Sequence, residues 1–479
     1  MTSSDVGART FVATVAGRDL VTSSRFDVIN PATGQVLATA PSVLPEQLDE
    51  VFGAAAAAAP KWARDEDGRR AAMRQAAALI EAHAAELAVI LTSEQGKPLN
   101  DARGEIGRAA SWLRYYAELE IPREIIRDDD QAFQEVVRRP MGVVAAITPW
   151  NVPVGLAMWK IAPALRAGNT IVVKPSPYTP LTTLEIGRML REVLPPGVLN
   201  VVAGPEPLGA ALVSHPVPRK VSFTGSTAVG RLVSRAAAED LKRITLELGG
   251  NDPAIILPDI DVAKVAPALF WGSFMNNGQV CLAAKRIYAH RDVHDDLADA
   301  VAEIAVSVRV GNGLDEGTQL GPINNEPQFR RVEMLVDDAT RNGATARAGG
   351  RALDRAGYFF APTVLTGVRE GVKVVDEEQF GPVMPFIPFD DDDDVVERAN
   401  ASEYGLTASV WSADVERAYA IADRIDSGQV SINIHGGGVL PTLPFGGHKS
   451  SGVGVENGPW GLYGFTELQV ISGPPRSRA

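Results

Sequence analysis

The chain has 479 residues, of which 45% are hydrophobic and 22% charged; this composition is typical of a soluble globular protein and too apolar for disorder, and the length suggests roughly three domains. With 46 Lys and Arg against 59 Asp and Glu, the net charge of −13 argues against nucleic acid as a partner, because binding to phosphates needs a basic face. The single cysteine, Cys281, excludes an intramolecular disulfide and zinc sites built from paired thiolates, and it favours a reducing, cytoplasmic location.

The N-terminal part of the chain is predicted to be helical. Its first ten residues include Asp5 and no apolar core, so we expect no secretory signal. Up to about residue 120, apolar residues recur at 3.6-residue spacing, and we predict helices over 46–59 and 69–92. Gly96, Lys97 and Pro98 follow the second of these and are typical of a helix end.

Residues 141–159 contain no charged side chain and are long enough to suggest a membrane span. Pro149, Trp150, Asn151 and Pro153 lie at the centre of this segment, where a helix in lipid would leave backbone groups without hydrogen bonds. We therefore expect a buried strand, a tight loop and a buried helix, and no membrane as a partner.

From residue 134 onward, strand-like runs alternate with helical segments. Strands are predicted at 134–139, 142–147, 170–174, 198–202, 220–223, 244–248 and 253–257. Several are continuously apolar, as expected for strands covered on both faces. The alternation predicts an α/β fold with a mostly parallel sheet.

A second series of elements begins after about residue 260. It contains a long predicted helix that ends at Asn277, then strands at 286–290 and within 374–389. We place a domain boundary near residue 250, where Gly249, Gly250 and Asn251 interrupt the pattern. The strand-like run 465–470 precedes a polar tail.

Two polar clusters are interpreted as structural features. The five acids at 390–394 are predicted to form a solvated turn before a helix at 395–400, since acidic side chains favour the positive end of a helix. His290 and His294 stand four residues apart with acidic neighbours but no third ligand. No metal site is therefore predicted.

Residues 223–230, with the sequence FTGSTAVG, join a predicted strand to a predicted helix. Backbone N–H groups at a helix start attract anions such as a pyrophosphate, and Gly225 allows close approach. Many turns of this composition are only helix caps, so the segment by itself leaves both interpretations open.

Cys281 and Glu247 are the candidate reactive side chains. Cys281 follows a polar, glycine-containing loop, where a cysteine is either a nucleophile or an inert buried residue. Glu247 lies at the end of an apolar strand, where loss of solvent would raise its pKa and suit it to general-base catalysis. A structural ion pair is the alternative for Glu247.

Eight ordered motifs resemble the aldehyde dehydrogenase superfamily over nearly the whole chain. They lie at 30–34, 147–153, 174–176, 223–227, 246–250, 278–281, 378–382 and 444–447. The separation between Glu247 and Cys281 is also the one usual in that family. The resemblance implies an NAD(P)-dependent, non-CoA-acylating enzyme that oxidises an aldehyde to a carboxylic acid.

The resemblance also implies the domain organisation. Residues 1–122 and 141–249 would form a Rossmann-like, parallel-sheet NAD(P)-binding domain, and 250–450 an α/β catalytic domain. Residues 123–140 and 465–479 would form a small β extension for oligomerisation, with 123–140 paired to 465–472. Because exposed strand edges invite partner strands, we expect a homodimer or homotetramer.

The catalytic residues are carried over by the same resemblance. The Cys281 thiolate would attack the aldehyde to form a thiohemiacetal, hydride would pass to the nicotinamide, and Glu247 would activate the water that hydrolyses the thioester. Asn151 and the Cys281 backbone N–H would stabilise the oxyanion. Lys160 and Glu456 correspond to positions that either relay the proton outward or form an ordinary ion pair.

The cofactor is expected to contact residues on both sides of the anion-binding turn. Lys174 would lie near the adenosine ribose and Glu378 would hold the nicotinamide ribose hydroxyls. Many NAD-preferring members carry a glutamate where this chain has Pro177, which neither repels a 2′-phosphate nor binds the hydroxyls; we expect NAD, with NADP also accepted. The predicted cofactor residues are Ile147, Thr148, Pro149, Trp150, Lys174, Ser176, Pro177, Gly204, Phe223, Gly225, Ser226, Val229, Leu248, Gly249, Glu378 and Phe380.

The substrate tunnel is expected to be apolar. Val152 stands where an aromatic residue is frequent in the family, while Leu156, Trp159 and Phe445 are apolar, and the glycines at 436–438 would widen the mouth. The pattern predicts a hydrophobic or aromatic aldehyde.

Two other activities would use the same residues. In a CoA-acylating dehydrogenase, CoA takes the acyl group and the general-base glutamate is usually missing, so Glu247 argues against it. A thiol esterase would use Cys281 and Glu247 on an activated ester and leave the cofactor motifs without a role.

Overall fold

The computed structural model describes residues 2–437 and 439–476. Gly438 of the predicted glycine loop and residues 477–479 of the predicted extension lie outside the described residues. The strands are β1 (Ala13–Val15), β2 (Arg18–Leu20), β3 (Ser24–Asn30), β4 (Gln35–Ser42), β5 (Glu124–Asp128), β6 (Phe133–Pro140), β7 (Val143–Ile147), β8 (Thr170–Lys174), β9 (Leu199–Val201), β10 (Lys220–Thr224), β11 (Arg243–Glu247), β12 (Asp252–Ile256), β13 (Ala284–His290), β14 (Thr345–Ala348), β15 (Thr363–Thr366), β16 (Val383–Phe389), β17 (Tyr404–Gly405), β18 (Thr407–Trp411), β19 (Gln429–Ile432), β20 (His448–Lys449), β21 (Gly452–Val453) and β22 (Thr466–Gly473).

The helices lie between these strands and cover the sheets. They are α1 (Ser3–Gly7), α2 (Leu48–Arg64), α3 (Glu66–Ala82), α4 (Ala84–Gln95), α5 (Leu99–Glu118), α6 (Pro153–Arg166), α7 (Leu181–Leu190), α8 (Leu208–Ser214), α9 (Thr227–Ala238), α10 (Val262–Phe274), α11 (Arg291–Ser307), α12 (Glu326–Arg341), α13 (Lys373–Asp376), α14 (Asp392–Asn400), α15 (Val415–Ala422) and α16 (Gly458–Tyr463), with 3-10 turns at Pro45–Gln47 and Met275–Gly278.

The first large sheet has the strand order β2-β1-β9-β8-β7-β10-β11-β21. Strands β9, β8, β7, β10 and β11 run parallel, whereas β1, β2 and β21 join antiparallel at the two ends. Strands β8 and β10 are buried along their whole length, which explains the apolar run of Ile171, Val172 and Val173 within β8. The predicted α/β fold with a mostly parallel sheet is confirmed.

The second large sheet has the order β14-β15-β16-β13-β12-β18-β19. Only β14 pairs antiparallel within it. Alternate residues of β12 belong to different apolar clusters, Ile255 on one side and Ala254 and Ile256 on the other, because successive strand side chains point to opposite faces. The first strand of this sheet in chain order, β12, begins at Asp252, next to the domain boundary predicted near residue 250. The division of the chain into domains stays a prediction.

A separate small sheet has the order β22-β6-β5. Strand β22 pairs antiparallel with β6 from Thr466 opposite Pro140 to Gly473 opposite Phe133. This confirms the predicted pairing of 123–140 with 465–472. Apolar side chains stand exposed on this sheet, including Ile125 and Leu468.

Three predictions about the elements are wrong. The N-terminal region is not helical throughout, since the four strands β1–β4 precede α2. These strands were not predicted because they are short or carry polar residues at their exposed positions. The predicted helix 69–92 is two helices, α3 and α4, bent by 70° at His83. The helix expected to reach Asn277 ends at Phe274, because Asn276 and Asn277 adopt left-handed φ angles of 51° and 59°, which a helix cannot continue through.

Residues 141–159 form strand β7, a loop and the start of α6, as predicted. Among the described residues, no single helix has the length and apolarity needed to cross a membrane, and only the bent pair α3 and α4 meets both limits when taken together.

The acid run is also a turn and a helix start, as predicted. Asp391 caps α14 by accepting bonds from the N–H groups of Asp393 and Asp394. His290 caps α11, and His294 lies 3.1 Å from an oxygen of Asp295. Within the described ranges, no cluster of three or more His, Cys, Asp or Glu has an arrangement suited to a metal ion.

Candidate active site

A cleft of about 440 Å³ opens where β10 and β11 end. It lies between the first sheet and the loops that lead into the second one. The residues lining it are Pro149, Trp150, Asn151, Leu156, Thr224, Gly225, Ser226, Thr227, Ala228, Glu247, Leu248, Gly249, Cys281, Gln328, Arg331, Glu378, Phe380 and Tyr404.

The loop before Cys281 has an unusual backbone. Asn276, Asn277 and Gly278 all have positive φ, a conformation that asparagine and glycine tolerate best. A Cβ on Gly278 would lie 2.1 Å from the carbonyl oxygen of Gly381, so only glycine fits. This tight turn brings Cys281, which is partly exposed, to the cleft wall.

Asn151 is buried and held on both its backbone and its side chain. Its amide nitrogen donates to the Gln279 carbonyl at 2.9 Å, and its backbone carbonyl accepts from Lys97 and from Asn276, each at 3.0 Å. Lys97 is also paired with Glu105, which accepts two N–H groups at the start of α6. A side-chain amide has two N–H donors, so the second remains for an oxygen in the cleft.

Glu247 is the last residue of β11, in register with Thr224 of β10. It is fully buried, and neither carboxylate oxygen accepts a well-formed hydrogen bond. Burial, and then the charge of Glu456, raise its pKa to about 8, against a smaller opposing interaction with the Cys281 thiol. Such a carboxyl is poised to exchange a proton near neutral pH.

Burial also raises the pKa of the Cys281 thiol well above its ordinary value, and the charge of Glu247 adds to the effect. A thiolate and a carboxylate side by side without solvent are unfavourable. Ionisation of Cys281 is therefore coupled to the protonation state of Glu247.

Lys160 and Glu456 form a buried ion pair with 2.6 Å between Nζ and Oε1. Lys160 also donates to the Thr224 hydroxyl at 2.8 Å, and Ser222 donates to the same Glu456 oxygen at 3.3 Å. The ion pair expected as one alternative is present. Because Thr224 lies between it and Glu247, a proton relay through this pair stays a prediction.

The opposite wall of the cleft carries the predicted nicotinamide-side residues. Glu378 accepts from the Gly250 N–H at 3.1 Å, and a Cβ on Gly249 would lie only 2.5 Å from the other Glu378 oxygen. Phe380 packs edge-to-face on Trp150 with 5.3 Å between ring centroids. Glycine at 249 therefore keeps a carboxylate-lined space open, which fits a ribose with its hydroxyls.

The turn after β10, where the pyrophosphate is predicted to bind, joins β10 to α9. Ser226 caps α9 by accepting from the N–H of Val229 at 3.3 Å, and Gly225 precedes it. The N-terminal N–H groups of a helix bind anions, so the donor set fits a dinucleotide phosphate.

The remaining predicted cofactor residues follow the carboxyl ends of neighbouring strands. Ile147 ends β7 and is in register with Lys174 at the end of β8 and with Phe223 in β10. Dinucleotides bind at this edge in doubly wound sheets. Near the same edge, outside the lining of the cleft, lie Thr148, Ser176, Pro177, Gly204 and Val229.

Several cleft residues were not predicted from the sequence. Gln328 and Arg331 stand three residues apart on α12, where Gln328 donates to the carbonyls of Gln379 and Phe380 and Arg331 donates to that of Glu378. Gln328 and Arg331 lie far along the chain from residues 378–380, which they contact, so no local sequence motif indicated that they belong to the cleft. Lys285, a lysine inside the buried strand β13, contacts two of the cleft residues; its charge within a mostly apolar run is the sequence signal that could have indicated it.

Comparisons with known proteins agree with this geometry. The model of the aldehyde dehydrogenase family matches residues 20–471. Phenylacetaldehyde dehydrogenase of Pseudomonas fluorescens is 40% identical over 464 residues, covering 93% of this chain and 92% of its own. Succinate-semialdehyde dehydrogenase GabD of Escherichia coli (strain K12), whose name specifies NADP(+), is 38% identical, covering 93% of each chain. An NAD+ complex of aldehyde dehydrogenase from Bacillus cereus has a TM-score of 0.96 at 36% identity, covering 99% of this chain and 98% of that one.

Proposed function

The chain belongs to the aldehyde dehydrogenase family, and on that premise we propose that it oxidises an aldehyde to the carboxylic acid with NAD(P)+. The observation that carries the proposal is that Cys281, Glu247 and Asn151 line the same cleft as Glu378. A nucleophile, a base, an amide donor and a ribose-binding acid are the groups this reaction needs.

In the first step, the Cys281 thiolate, whose proton has passed to solvent in the open cleft, bonds to the aldehyde carbon. The second amide hydrogen of Asn151 and the backbone N–H of Cys281 stabilise the resulting oxyanion; each such donor is typically worth about 3–4 kcal/mol. The bound nicotinamide supplies the hydride acceptor. The acyl group then remains on Cys281 as a thioester.

In the second step, Glu247 removes a proton from the water that attacks the thioester carbon, and the Cys281 sulfur leaves as the thiolate. Its buried position keeps the pKa of Glu247 at about 8, high enough for it to act as a base. We propose that the proton leaves along Thr224, Lys160 and Glu456, whose side chains are joined by hydrogen bonds.

The cofactor would contact Glu378 at the nicotinamide ribose, the Gly225-Ser226 turn at the pyrophosphate and Lys174 at the adenosine ribose. Pro177 supports acceptance of both NAD and NADP, with NAD preferred. Lys174 ends β8 and the Gly225-Ser226 turn follows β10, two strands of the first sheet, which supports a binding domain of 1–122 and 141–249. Glu378 follows α13 and would reach the cofactor from the catalytic domain of 250–450.

We propose a hydrophobic or aromatic aldehyde as the substrate. Trp159 stacks on Trp112 with 5.9 Å between ring centroids and meets Phe445 edge-on at 5.2 Å. Leu156, on the same helix α6 as Trp159, lines the cleft. Lys160 is fully paired with an acid, so it is not available to a substrate carboxylate. The likeness to phenylacetaldehyde dehydrogenase supports the same class.

An aldehyde panel tests this function. We expect aromatic and medium-length aliphatic aldehydes to be oxidised, because the predicted substrate tunnel is apolar. Reduced cofactor should form without CoA, because Glu247 is present to activate water. NAD should give a higher kcat/KM than NADP. Absorbance of the reduced cofactor is measured with NAD or NADP, and with or without CoA. A strict requirement for CoA would contradict the hydrolytic mechanism, and succinate semialdehyde as the best substrate would contradict the substrate class.

We further propose that the sheet β22-β6-β5 mediates assembly into a dimer or tetramer. Its side chains Ile125, Ile126, Leu468 and Val470 are 61%, 65%, 63% and 68% exposed, and exposed apolar strands invite a second copy. A cytoplasmic location suits the single thiol, which must stay reduced to act.

Light scattering at micromolar concentration is expected to give a dimeric or tetrameric mass. Leu468→Glu should shift the mass downward, because it places a charge in the shared surface. Val21→Glu is the matched control, since Val21 is 86% exposed and lies outside this sheet. A monomeric wild-type chain would exclude the proposed assembly.

A further inference from the structure

Lys285 is a buried lysine that the mechanism above does not use. It is the second residue of β13, four positions after Cys281, and only 2% of its surface is exposed. A lysine is almost never fully buried unless it is paired, so its partners indicate why it is there.

The ammonium of Lys285 connects the two walls of the cleft. It donates a hydrogen bond to the backbone carbonyl of Cys281, and its Nζ lies 3.3 Å from Oε1 of Glu378. The same Glu378 oxygen accepts from the Gly250 N–H. Lys285 thus contacts both the backbone of Cys281 and the carboxylate of Glu378, the residue expected to hold the nicotinamide ribose.

Other ionisable groups also face Lys285 or the thiol. Asp252 of β12 has its pKa raised to about 7 by burial, and Lys285 opposes that shift. His435, which follows β19, has its pKa lowered to about 3 by burial, with Lys285 contributing, so it is neutral. Glu247 faces the thiol from β11. Among the described residues, Glu378 is the one whose carboxylate lies within ion-pair distance of the Lys285 ammonium.

We propose that Lys285 is a positioning residue that ties the Cys281 peptide to Glu378 and places a fixed positive charge beside the nucleophile. The proposal rests on the proposed roles of Cys281 and Glu378. Its physical consequence is that the charge favours the Cys281 thiolate, against the opposing effects of burial and of Glu247. A second consequence is that Glu378 is held in place before any ribose hydroxyl reaches it.

The rate at which iodoacetamide alkylates Cys281 reports the thiolate directly, because the chain has a single cysteine. We expect Lys285→Met to move the pH midpoint of alkylation upward by about one unit or more, as removal of a nearby opposite charge does. Lys285→Arg keeps the charge and should stay close to wild type. All variants retain Glu247, so its contribution to the profile is common to them.

Lys242→Met is the matched control. Lys242 is also buried and paired, with Asp240 at 2.6 Å, but neither this ion pair nor its backbone bond to Ala237 involves a residue that lines the cleft, so the alkylation midpoint should not move. If Lys285→Met does not fold, Lys285→Gln, which keeps an N–H donor without the charge, replaces it with the same expected shift.

An unchanged midpoint in the folded neutral variant overturns the proposal, as does an arginine variant that behaves like the neutral one. Alkylation needs neither aldehyde nor cofactor. Failure of the aldehyde panel and failure of this experiment are therefore independent results.

Discussion

Cys281→Ala is expected to lower aldehyde-dependent kcat by about 10³-fold or more, because the covalent route depends on the sulfur that alanine lacks. Turnover is followed through the absorbance of the reduced cofactor, with the best aldehyde from the panel. Cofactor binding should remain measurable by titration calorimetry, since Glu378 and the turn after β10 are unchanged.

Chemical labelling provides an independent check on the same assignment. Iodoacetamide should modify one site per chain, at Cys281, and turnover should fall in proportion to labelling. Fully labelled protein that still turned over at the wild-type rate would show that the thiol is not the nucleophile. The alanine variant should take up no label, which serves as the control.

Glu247→Gln is expected to separate the two halves of the reaction. The variant should release about one equivalent of reduced cofactor per site in a rapid burst and then turn over slowly, because general-base assistance to hydrolysis is worth about 10²–10⁴-fold. Stopped-flow absorbance measures the burst, and quenched samples analysed by mass spectrometry should carry the acyl group on Cys281.

The pH dependence follows from the raised pKa of Glu247. A base must be deprotonated to act, and burial places the pKa of Glu247 at about 8. The wild-type hydrolysis rate should therefore rise with pH through about 8 and level off above it, while the glutamine variant should lack this step.

Two other outcomes would change the assignment. Loss of the burst would mean that Glu247 is also the base needed to ionise Cys281, as the coupling between the two groups allows. Unchanged steady-state turnover would mean that another base serves hydrolysis and that Glu247 is only a buried carboxyl.

Local patterns were enough to predict the alternating core of the fold. The whole of β7 and the interior of β8 are continuous apolar runs, as burial on both faces of a sheet requires, and their alternation with helical segments indicated the parallel sheet. The prediction was wrong for short strands such as β1, which pairs with β9 from a distant part of the chain. It was also wrong at His83, where the helix breaks although the helical spacing of apolar residues continues.

The sequence by itself indicated the family, the α/β class and the candidate residues for the chemistry, because Cys281, Glu247, Asn151 and Glu378 each stand in one of the eight ordered motifs that resemble a single family. Their convergence on one cleft was decided by the tertiary structure, since it needs the sheet edge, the left-handed turn at Asn276 and the loop at Glu378 to meet.

The raised pKa of Glu247 and the position of Lys285 between Cys281 and Glu378 were likewise decided only in three dimensions. A pKa depends on the solvent excluded and the charges placed around a group, and some of those neighbours, such as Glu456 beside Glu247, come from distant parts of the chain. The sequence therefore indicates the candidate reacting groups, and their packing in the folded chain determines their pKa values.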